Sequence, residues 1–409
     1  MFYVGIDIAK RKHEAVVTDD KGDIVVKAFS FTNDLTGYNY LLGKIKLVTI
    51  SREQIVIGME STSHYWLTLY TRLIKDGYNV HIFNPIQSDA LRGMYIRQSK
   101  TDARDSFIIA EVIRFGKYSE SNVPQEKLFA LRELTRNRYF MVDSVSDLKR
   151  KTTALIDQVF PEYEKLFSNN FGVSSMALLL KYPTPEKLKN VSLQSLAKLL
   201  SKASNGYFGL GKAKEVKETA KSTFGVIDNC GIYATLISTY IKQILFIQDQ
   251  VKEIDSQIAE IMSELDSKIT TINGIGQALG AVIISEIGDI SRFQNSDKLA
   301  AYAGVDPTVK QSGDYCAVRN HMSKRGSPYL RRAIWQASVI AVGCDPMFKA
   351  YYDKKASEGK RYMNIIGHCT RKMISVIFAV LRDDKEYIPM AARSLRANSR
   401  RLCILQGQR

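Results

Sequence analysis

Two carboxylates stand three residues apart, at Asp102 and Asp105, in the segment Lys-Thr-Asp-Ala-Arg-Asp-Ser. Side chains at this spacing lie on one face of a helix, and the apolar pattern that follows predicts a helix that begins at Thr101 or Asp102. Neighbouring carboxylates repel each other unless a cation compensates them, and for oxygen ligands that cation is Mg²⁺ or Mn²⁺. The alternative is an N-capping aspartate beside a solvated one.

Two more acids lie upstream, each at the end of a predicted strand. Asp7 stands near the end of the first predicted strand, and Glu60 ends the fourth. If these two strands are neighbours in one sheet, their carboxylates lie close together, and the helix that carries Asp102 and Asp105 can pack over the same edge. Four acids at corresponding ends of elements are hard to explain by structure alone, so the sequence predicts a metal site there.

The strands and the helix that carry these acids belong to a predicted N-terminal α/β domain. The predicted order of its strands and helices along the chain is βββαβαβα. The first three strands form an antiparallel meander, and the later strands alternate with helices. The predicted strands cover residues 2–9, 13–18, 24–31, 54–60 and 79–83, and the predicted helices cover residues 35–48, 63–75 and the stretch after Asp102. Before that last helix, Arg97 and Lys100 stand in a Gly-containing segment, which is either a basic loop for a nucleic-acid backbone or a solvated loop.

Two long helices are predicted in the middle of the chain, at residues 126–160 and 232–268. Neither contains Gly or Pro, and apolar residues recur in both at a near-heptad spacing, which is typical of a coiled coil. They predict an antiparallel helical arm that closes within one chain or pairs with another subunit. The Lys- and Ser-rich stretch between them, at about residues 165–230, predicts a small helical insert.

The composition narrows the class of partner. The chain of 409 residues has a formal net charge of +16, and residues 310–409 carry 20 Lys and Arg against 7 Asp and Glu, which predicts a polyanionic partner, nucleic acid before membrane. The five cysteines are widely spaced and form no Cys-x-x-Cys pair, so neither a disulfide framework nor a zinc site is expected. No stretch reaches the roughly 18 uncharged apolar residues of a membrane span, and no signal-peptide pattern opens the chain. An intracellular protein is expected.

The C-terminal part contains two features that could contact phosphates. Gly274 and Gly276 open a predicted helix whose free N–H groups suit a DNA backbone, as in one half of a helix-hairpin-helix. Ser312 precedes a glycine in a predicted exposed turn, and nearby cations could stabilise a phosphodiester transition state. These cations are Lys310, Arg319, Lys324, Arg325, Arg331 and Arg332. From the residues alone, a lone serine of this kind is usually a turn residue, and Ser323 and Ser327 are close rivals as nucleophile.

Three motifs resemble the DEDD signature of the RuvC-like insertion-sequence transposases, the bridge-RNA-guided serine recombinases, which the related Piv-type invertases share. The motifs are Gly-Ile-Asp-Ile-Ala-Lys at Asp7, Gly-Met-Glu-Ser-Thr-Ser-His-Tyr-Trp at Glu60, and the segment with Asp102 and Asp105. Residues 272–288 and 293–307 are similar to the C-terminal domain of the same transposases. Family members often carry Ala where this chain has Ser106, which is a minor departure.

The resemblance implies an RNase H-like fold for the N-terminal domain, with the four acids binding Mg²⁺ or Mn²⁺. It also implies that Ser312 is the nucleophile, which attacks a DNA phosphate and forms a covalent phosphoserine. The implied partners are donor and target DNA, a non-coding bridge RNA, and further copies of the chain in a dimer or a synaptic tetramer. In that assembly, the acids of one subunit face the serine of another. The implied location is the cytoplasm of a bacterium or archaeon, without a membrane partner.

These observations together predict four regions: an RNase H-like domain at residues 1–120, the helical arm at 125–270 with its insert, a mainly helical C-terminal domain at 271–390 and a basic tail at 391–409. The predicted function is a metal-dependent DNA transposase or recombinase of an insertion sequence. One alternative is a RuvC-like structure-selective nuclease that uses only the four acids, or a site-specific DNA invertase. Another is a catalytically silent nucleic-acid-binding protein, which the four acids disfavour.

Overall fold

The computed structural model describes residues 1–61, 63–92, 101–116, 118, 126–226, 230–306, 311–312, 315–316 and 322–389. The chain divides into two compact units, Met1–Val123 and Pro124–Arg409. The first unit contains a mixed sheet with helices, and the described part of the second is mostly helical. The predicted fold class, an α/β domain followed by a mainly helical remainder, is confirmed. The RNase H-like and coiled-coil assignments stay predictions.

The first unit is built on a five-stranded mixed sheet. Its strands are β1 (Phe2–Asp7), β2 (Lys12–Thr18), β3 (Ile24–Thr32), β4 (Ile55–Glu60) and β5 (Asn79–Phe83). Their order across the sheet is β3-β2-β1-β4-β5. The first three strands pair antiparallel, whereas β1 pairs in parallel with β4, and β4 with β5. The strands that end at Asp7 and Glu60 are therefore neighbours, which is the condition on which the predicted proximity of these two acids depends.

Four helices accompany this sheet. They are α1 (Leu35–Lys46), α2 (Trp66–Lys75), α3 (Pro85–Arg92) and α4 (Asp102–Phe115). The predicted order places no element between β5 and α4, so α3 corrects it. This helix is too short to show a clear apolar period in the sequence, although Pro85 at its first position is typical of a helix start.

The two faces of the sheet carry separate packing. The face toward α1 and α2 is apolar and buried, and its strand residues include Val4, Ile6, Ile57 and Met59. The opposite face packs against α4, which contacts Gly5 and Gly58. Because side chains alternate along a strand, Asp7 shares the face of Gly5, and Glu60 shares the face of Gly58. The acids and α4 therefore lie on the same side of the sheet.

The second unit contains eleven further helices in its described part. They are α5 (Glu126–Val159), α6 (Val173–Lys181), α7 (Pro185–Asn190), α8 (Leu193–Ala203), α9 (Leu210–Lys221), α10 (Cys230–Leu265), α11 (Gln277–Ile287), α12 (Ser296–Ala303), α13 (Pro328–Cys344), α14 (Pro346–Ser357) and α15 (Tyr362–Asp383). Two short strands, β6 (Gln311–Ser312) and β7 (Tyr315–Cys316), pair antiparallel.

The two long helices α5 and α10 pack antiparallel within one chain. Near one end, the ammonium of Lys127 lies 2.7 Å from the carboxylate of Glu264. Near the other end, the hydroxyl of Tyr233 donates to Oε1 of Gln158 at 3.1 Å. Of the two predicted arrangements, the structure has the intrachain hairpin, and pairing with another subunit stays a prediction.

Each end of this hairpin shares a core with other helices. At one end, Ile156 and Ile241 are buried with residues of α6 to α9. At the other end, Leu131 and Ile258 are buried with residues of α11 to α15. The insert is therefore a small helical bundle around the tip of the hairpin.

Helix α15 is largely apolar but contains Arg371 and Lys372 near its middle, so it does not contradict the expectation that no uncharged apolar stretch reaches the length of a membrane span. Among the described residues it is the one helix that is long and apolar enough by composition, and half of its apolar window is buried inside the protein. Its buried residues include Ile366, Cys369, Met373 and Ile377, all in the core of the second unit. Packing against α12, α13 and α14 accounts for its apolar face without a membrane.

Candidate active site

Two glycines let α4 approach the two strands that end in acids. A Cβ on Gly5 would lie 2.0 Å from the carbonyl oxygen of Ser106, and a Cβ on Gly58 would lie 2.6 Å from a methyl carbon of Ile113. Non-bonded atoms do not approach so closely, so glycine is required for this packing. Each glycine stands two residues before its acid, on the same face of the strand. Both motifs contain a glycine two residues before the acid, and this spacing could have indicated from the sequence that a helix packs there.

We expect Gly5→Ala to lower the free energy of unfolding by about 2–4 kcal/mol, because the new Cβ would have to displace the backbone of α4. Urea unfolding of the purified variant measures this. Gly43→Ala is the matched control, since nothing lies within 4 Å of a Cβ at that position, and Ala in a helix interior is favoured over Gly by about 1 kcal/mol. Unchanged stability of Gly5→Ala would contradict the close packing of α4.

The structure brings the four predicted acids into electrostatic range of one another. Asp105 is buried, whereas Asp102 is exposed at the first residue of α4. Burial is the largest cause that raises the pKa of Asp7 from 3.8 to about 6, and repulsion from Glu60, Asp105 and Asp102 adds to it. The carboxylates therefore destabilise one another when all are ionised.

Helix α3 supplies partners to two of these acids. The buried Ser88 hydroxyl donates to the carboxylate of Glu60. The guanidinium of Arg92 lies 2.9 Å from Oδ1 of Asp105. From the sequence, Arg92 is expected in the same basic loop as Arg97 and Lys100 and not in a helix, and no role is expected for Ser88.

The donor set suits a hard divalent cation, because it consists of carboxylates whose charges repel. In the part of the chain that the structure describes, no group of three or more His, Cys, Asp or Glu side chains is arranged to hold a metal ion as it stands. The guanidinium of Arg92 provides the compensating positive charge at Asp105. The acids therefore fit a metal by their chemistry, and the contact with Arg92 uses one of the two oxygens of Asp105.

We expect Asp7→Asn to raise the thermal midpoint by about 2–4 °C at pH 7.5 in the presence of a chelator. The pKa of Asp7 is about 6 in the folded state, and its ordinary value is 3.8. Between pH 3.8 and pH 6, the folded protein therefore keeps a proton on Asp7 that the unfolded chain has lost. The free energy of unfolding of the wild type therefore falls as the pH rises through this window. The increase in the thermal midpoint of the variant over the wild type should vanish near pH 4. An equal increase at pH 7.5 and at pH 4 would contradict the raised pKa of Asp7.

Ser312 lies at the end of β6, where it pairs with Tyr315 of β7. Asp306 and Ser323 are in contact with each other. The backbone N–H of Ser323 donates to the carbonyl of Asp306 at 2.9 Å, and the Ser323 hydroxyl donates to the Asp306 carboxylate.

The two rival serines have structural partners. The backbone N–H and the hydroxyl of Ser323 both donate to Asp306. Ser327 caps α13 by accepting a hydrogen bond from Leu330 N–H at 3.2 Å, and its hydroxyl donates to Oε2 of Glu286 at 2.8 Å. Glu286 is buried and also receives both arms of the Arg136 guanidinium, at 2.7 and 3.1 Å. Both rivals are thus explained as parts of the framework.

The predicted phosphate-binding cations fall into three groups. Arg331 donates to the carbonyls of Ala303 and Gly326, and Arg332 forms a bidentate ion pair with Asp143 at 2.7 Å. Lys324 and Arg325 are exposed. Arg97, Lys100, Lys310 and Arg319 lie outside the described residues. A role of these side chains in nucleic-acid binding stays a prediction.

The two glycines before α11 differ in their surroundings. Gly274 has a φ of +95°, and a Cβ there would lie 2.6 Å from the carbonyl of Ala337, so this glycine is needed for packing against α13. Gly276 is the N-cap of α11, and nothing lies within 4 Å of a Cβ built on it. Packing thus explains Gly274, whereas the phosphate-binding role predicted for both glycines is still a prediction.

Comparisons with known proteins match both halves of the chain. A profile described as a transposase, of the DEDD type of IS110, matches residues 4–161, and a profile described as transposase IS116/IS110/IS902 family matches residues 266–353. An uncharacterized 44.8 kDa protein of insertion element IS116 from Streptomyces clavuligerus is 25% identical over 390 residues, which cover 95% of this chain and 96% of that protein.

Two further relatives extend over most of both chains. An uncharacterized 42 kDa protein of insertion element IS900 from Mycobacterium paratuberculosis is 24% identical over 398 residues, 95% of this chain and 97% of that protein. A pilin gene-inverting protein from Moraxella bovis is 23% identical over 392 residues, 94% of this chain and 97% of that protein. The similarity therefore includes the arm and the insert, which neither profile covers in full.

Proposed function

Because the chain belongs to the IS116/IS110/IS902 family of transposases, we propose that it cuts and rejoins DNA with two sets of residues. One set is the four acids of the first unit, which hold Mg²⁺ or Mn²⁺. The other is Ser312, which forms a covalent phosphoserine with the cut strand. A non-coding bridge RNA guides the reaction, and a dimer or tetramer performs it in the cytoplasm.

The observation that carries this proposal is the packing of α4 over the ends of β1 and β4. It places the charges of Glu60, Asp102 and Asp105 where they act on Asp7. Such mutual repulsion costs stability, and proteins retain it mainly where the acids serve a function. A divalent cation bound there supplies positive charge to a phosphodiester and polarises it.

The chain's own residues perform the remaining steps. The Oγ of Ser312 forms a bond to the DNA phosphorus while the bond from phosphorus to the leaving strand oxygen breaks. The serine gives up its proton, and the leaving oxygen gains one, so the step is balanced and the phosphodiester energy is kept in the new bond. The side chains of Lys324 and Arg325 are exposed, and in this proposal they bind nearby phosphates.

Site-specific inversion is the second candidate, because the pilin gene-inverting protein of Moraxella bovis matches 94% of this chain. A single assay separates the two. The purified protein with its co-purifying RNA is incubated with Mg²⁺ and a supercoiled plasmid that carries both ends of an insertion element. Sequenced products with an excised or inserted element support transposition, and products with a reversed segment support inversion. Nicked or linear DNA alone would favour the nuclease.

Sequencing the RNA that co-purifies with the protein tests the guide. We propose one discrete structured RNA, with segments complementary to both donor and target DNA. A mixture of cellular RNA fragments in proportion to their abundance would contradict a guide. The basic charge of the chain would then explain the binding without sequence recognition.

A further inference from the structure

A cavity of about 200 Å³ lies in the first unit, lined by residues of β2, β3, α1 and α2. His13 is one of them, and it precedes Glu14, which pairs with Asp7 across β1 and β2. Neighbouring residues of a strand point to opposite faces of the sheet. The cavity is therefore on the face opposite the four acids, and it is distinct from the candidate metal site.

His13 presents an unsatisfied polar atom in this cavity. Its side chain is 1% exposed, and its Nδ1 accepts a hydrogen bond from the N–H of Ala9 at 3.2 Å. Since Nδ1 accepts, the ring proton is on Nε2. In the described ranges of the chain, no acceptor meets both the distance and the angle of a hydrogen bond to Nε2, although the nearby Asn33 side chain interacts with the ring. A buried donor of this kind costs stability until an acceptor fills it.

The walls of the cavity suit a flat ring. Phe31 and Leu69 are buried, and the ring of Phe31 lies edge-on to the His13 imidazole with centroids 5.2 Å apart. The Asn33 carboxamide also lines the cavity and offers both a donor and an acceptor. A nucleobase combines a flat apolar face with an edge of donors and acceptors, so it matches these walls.

The charged groups of the cavity favour the same ligand. The Asp34 carboxylate is already used as the N-cap of α1, where it accepts from Gly37 N–H and from the Thr32 hydroxyl, both at 2.8 Å. The guanidinium of Arg72 lies over the ring of Tyr38, 5.6 Å from its centroid, and half of its side chain is exposed. The Nε of Arg72 also lies 3.7 Å from the carboxylate of Asp76, so a phosphate attached to the bound base would share the guanidinium with that carboxylate.

A second cavity of about 260 Å³ adjoins the first and shares Phe31 and Thr32 with it. It adds Lys12 and the ring of Tyr40, which is 48% exposed. The ammonium of Lys44 lies 5.3 Å from the centroid of that ring. Exposed aromatic rings interleaved with lysines are typical of surfaces that bind single-stranded nucleic acid.

We propose that the two cavities bind consecutive unstacked bases of a single-stranded nucleic acid. One base enters the first cavity and accepts a hydrogen bond from Nε2 of His13. The next base stacks on Tyr40, and Lys12 and Arg72 lie beside the phosphates. This inference rests on the proposed function only in taking nucleic acid as the ligand. RNA and DNA share the chemistry that these cavities recognise.

The test is a binding measurement on the full-length Ser312→Ala variant, freed of RNA and kept in a chelator so that no cleavage occurs. The probes are fluorescent single strands of six uridines or six deoxythymidines, and the same backbones with abasic spacers. We expect the base-bearing strands to bind at least tenfold tighter than the abasic ones. A tighter RNA complex would identify RNA as the source of the base, and a tighter DNA complex would identify DNA.

Two tryptophan variants test whether the tighter binding of base-bearing strands depends on the first cavity. Thr68 is exposed and lines the first cavity, so Thr68→Trp should fill its mouth and remove the advantage of base-bearing strands. Thr71 is exposed on the same helix and does not line either cavity, so Thr71→Trp should retain it. Equal binding of base-bearing and abasic strands, or an unaltered Thr68→Trp, would overturn the proposal. Because the assay needs neither metal nor Ser312, failure of DNA cleavage would leave its outcome unaffected.

Discussion

Asp102→Asn should reduce Mg²⁺-dependent DNA strand cleavage by about 10³-fold or more, because one metal ligand supplies several kcal/mol of transition-state stabilisation. The fold should persist. Asp102 is exposed at the first residue of α4, and a carboxylate at a helix N-terminus contributes only about 0.3–1 kcal/mol. Its loss also relieves repulsion on Asp7. The variant should therefore unfold at nearly the same temperature as the wild type.

Cleavage of end-labelled DNA over a range of Mg²⁺ concentrations measures this effect, with thermal unfolding in parallel. Glu53→Gln is the matched control, because Glu53 is an exposed carboxylate in the turn before β4, at the other end of that strand from Glu60. It should leave cleavage unchanged. If Asp102→Asn kept full activity in an excess of chelator, the metal hypothesis would have to be abandoned.

Ser312→Ala should eliminate both cleavage and the covalent protein–DNA adduct while nucleic-acid binding persists. The nucleophilic oxygen is lost, so no bond to phosphorus can form. Removal of one hydroxyl beside a turn should change the free energy of unfolding by only about 0.5 kcal/mol. Denaturing gels of end-labelled DNA, with and without protease digestion, separate the adduct from free cut strands.

Ser323→Ala and Ser327→Ala are the comparison variants. Both should keep the adduct and lose stability, Ser327→Ala by about 1–2 kcal/mol, because it removes the N-cap of α13 and a hydrogen bond to the buried Glu286. A protein-linked band that survives Ser312→Ala would transfer the nucleophilic role to one of them. Free 5′-phosphate ends without any adduct in the wild type would favour the metal nuclease.

Local patterns in the sequence were sufficient for much of the fold. The short apolar runs of β1 and β4 and the uninterrupted apolar spacing of α5 and α10 each depend on neighbours along the chain. They predicted the mixed sheet and the antiparallel long helices, whereas the adjacency of β1 and β4 was assumed. Helix α3 was missed because eight residues, Pro85–Arg92, are too few to show a helical period.

The sequence by itself determined that Asp7 and Glu60 end strands and that Asp102 and Asp105 share a helix face, because chain spacing sets which side chains point the same way. Only the tertiary structure decided the distances between them. Arg92 contacts Asp105, and Gly5 lets α4 pack closely against β1. Both contacts join residues from different elements of the fold. Such contacts follow from close packing between elements, which no local pattern specifies.

Tertiary contacts also give structural roles to two of three serines that look alike in the sequence. Ser312, Ser323 and Ser327 all stand in a polar segment rich in Gly and cations. Asp306 and Glu286 lie 17 and 41 residues from their serine partners along the chain, and folding brings them together. A hydroxyl that donates to a carboxylate of the framework is explained by that contact, and this distinction depends on the fold because the partners are distant in sequence.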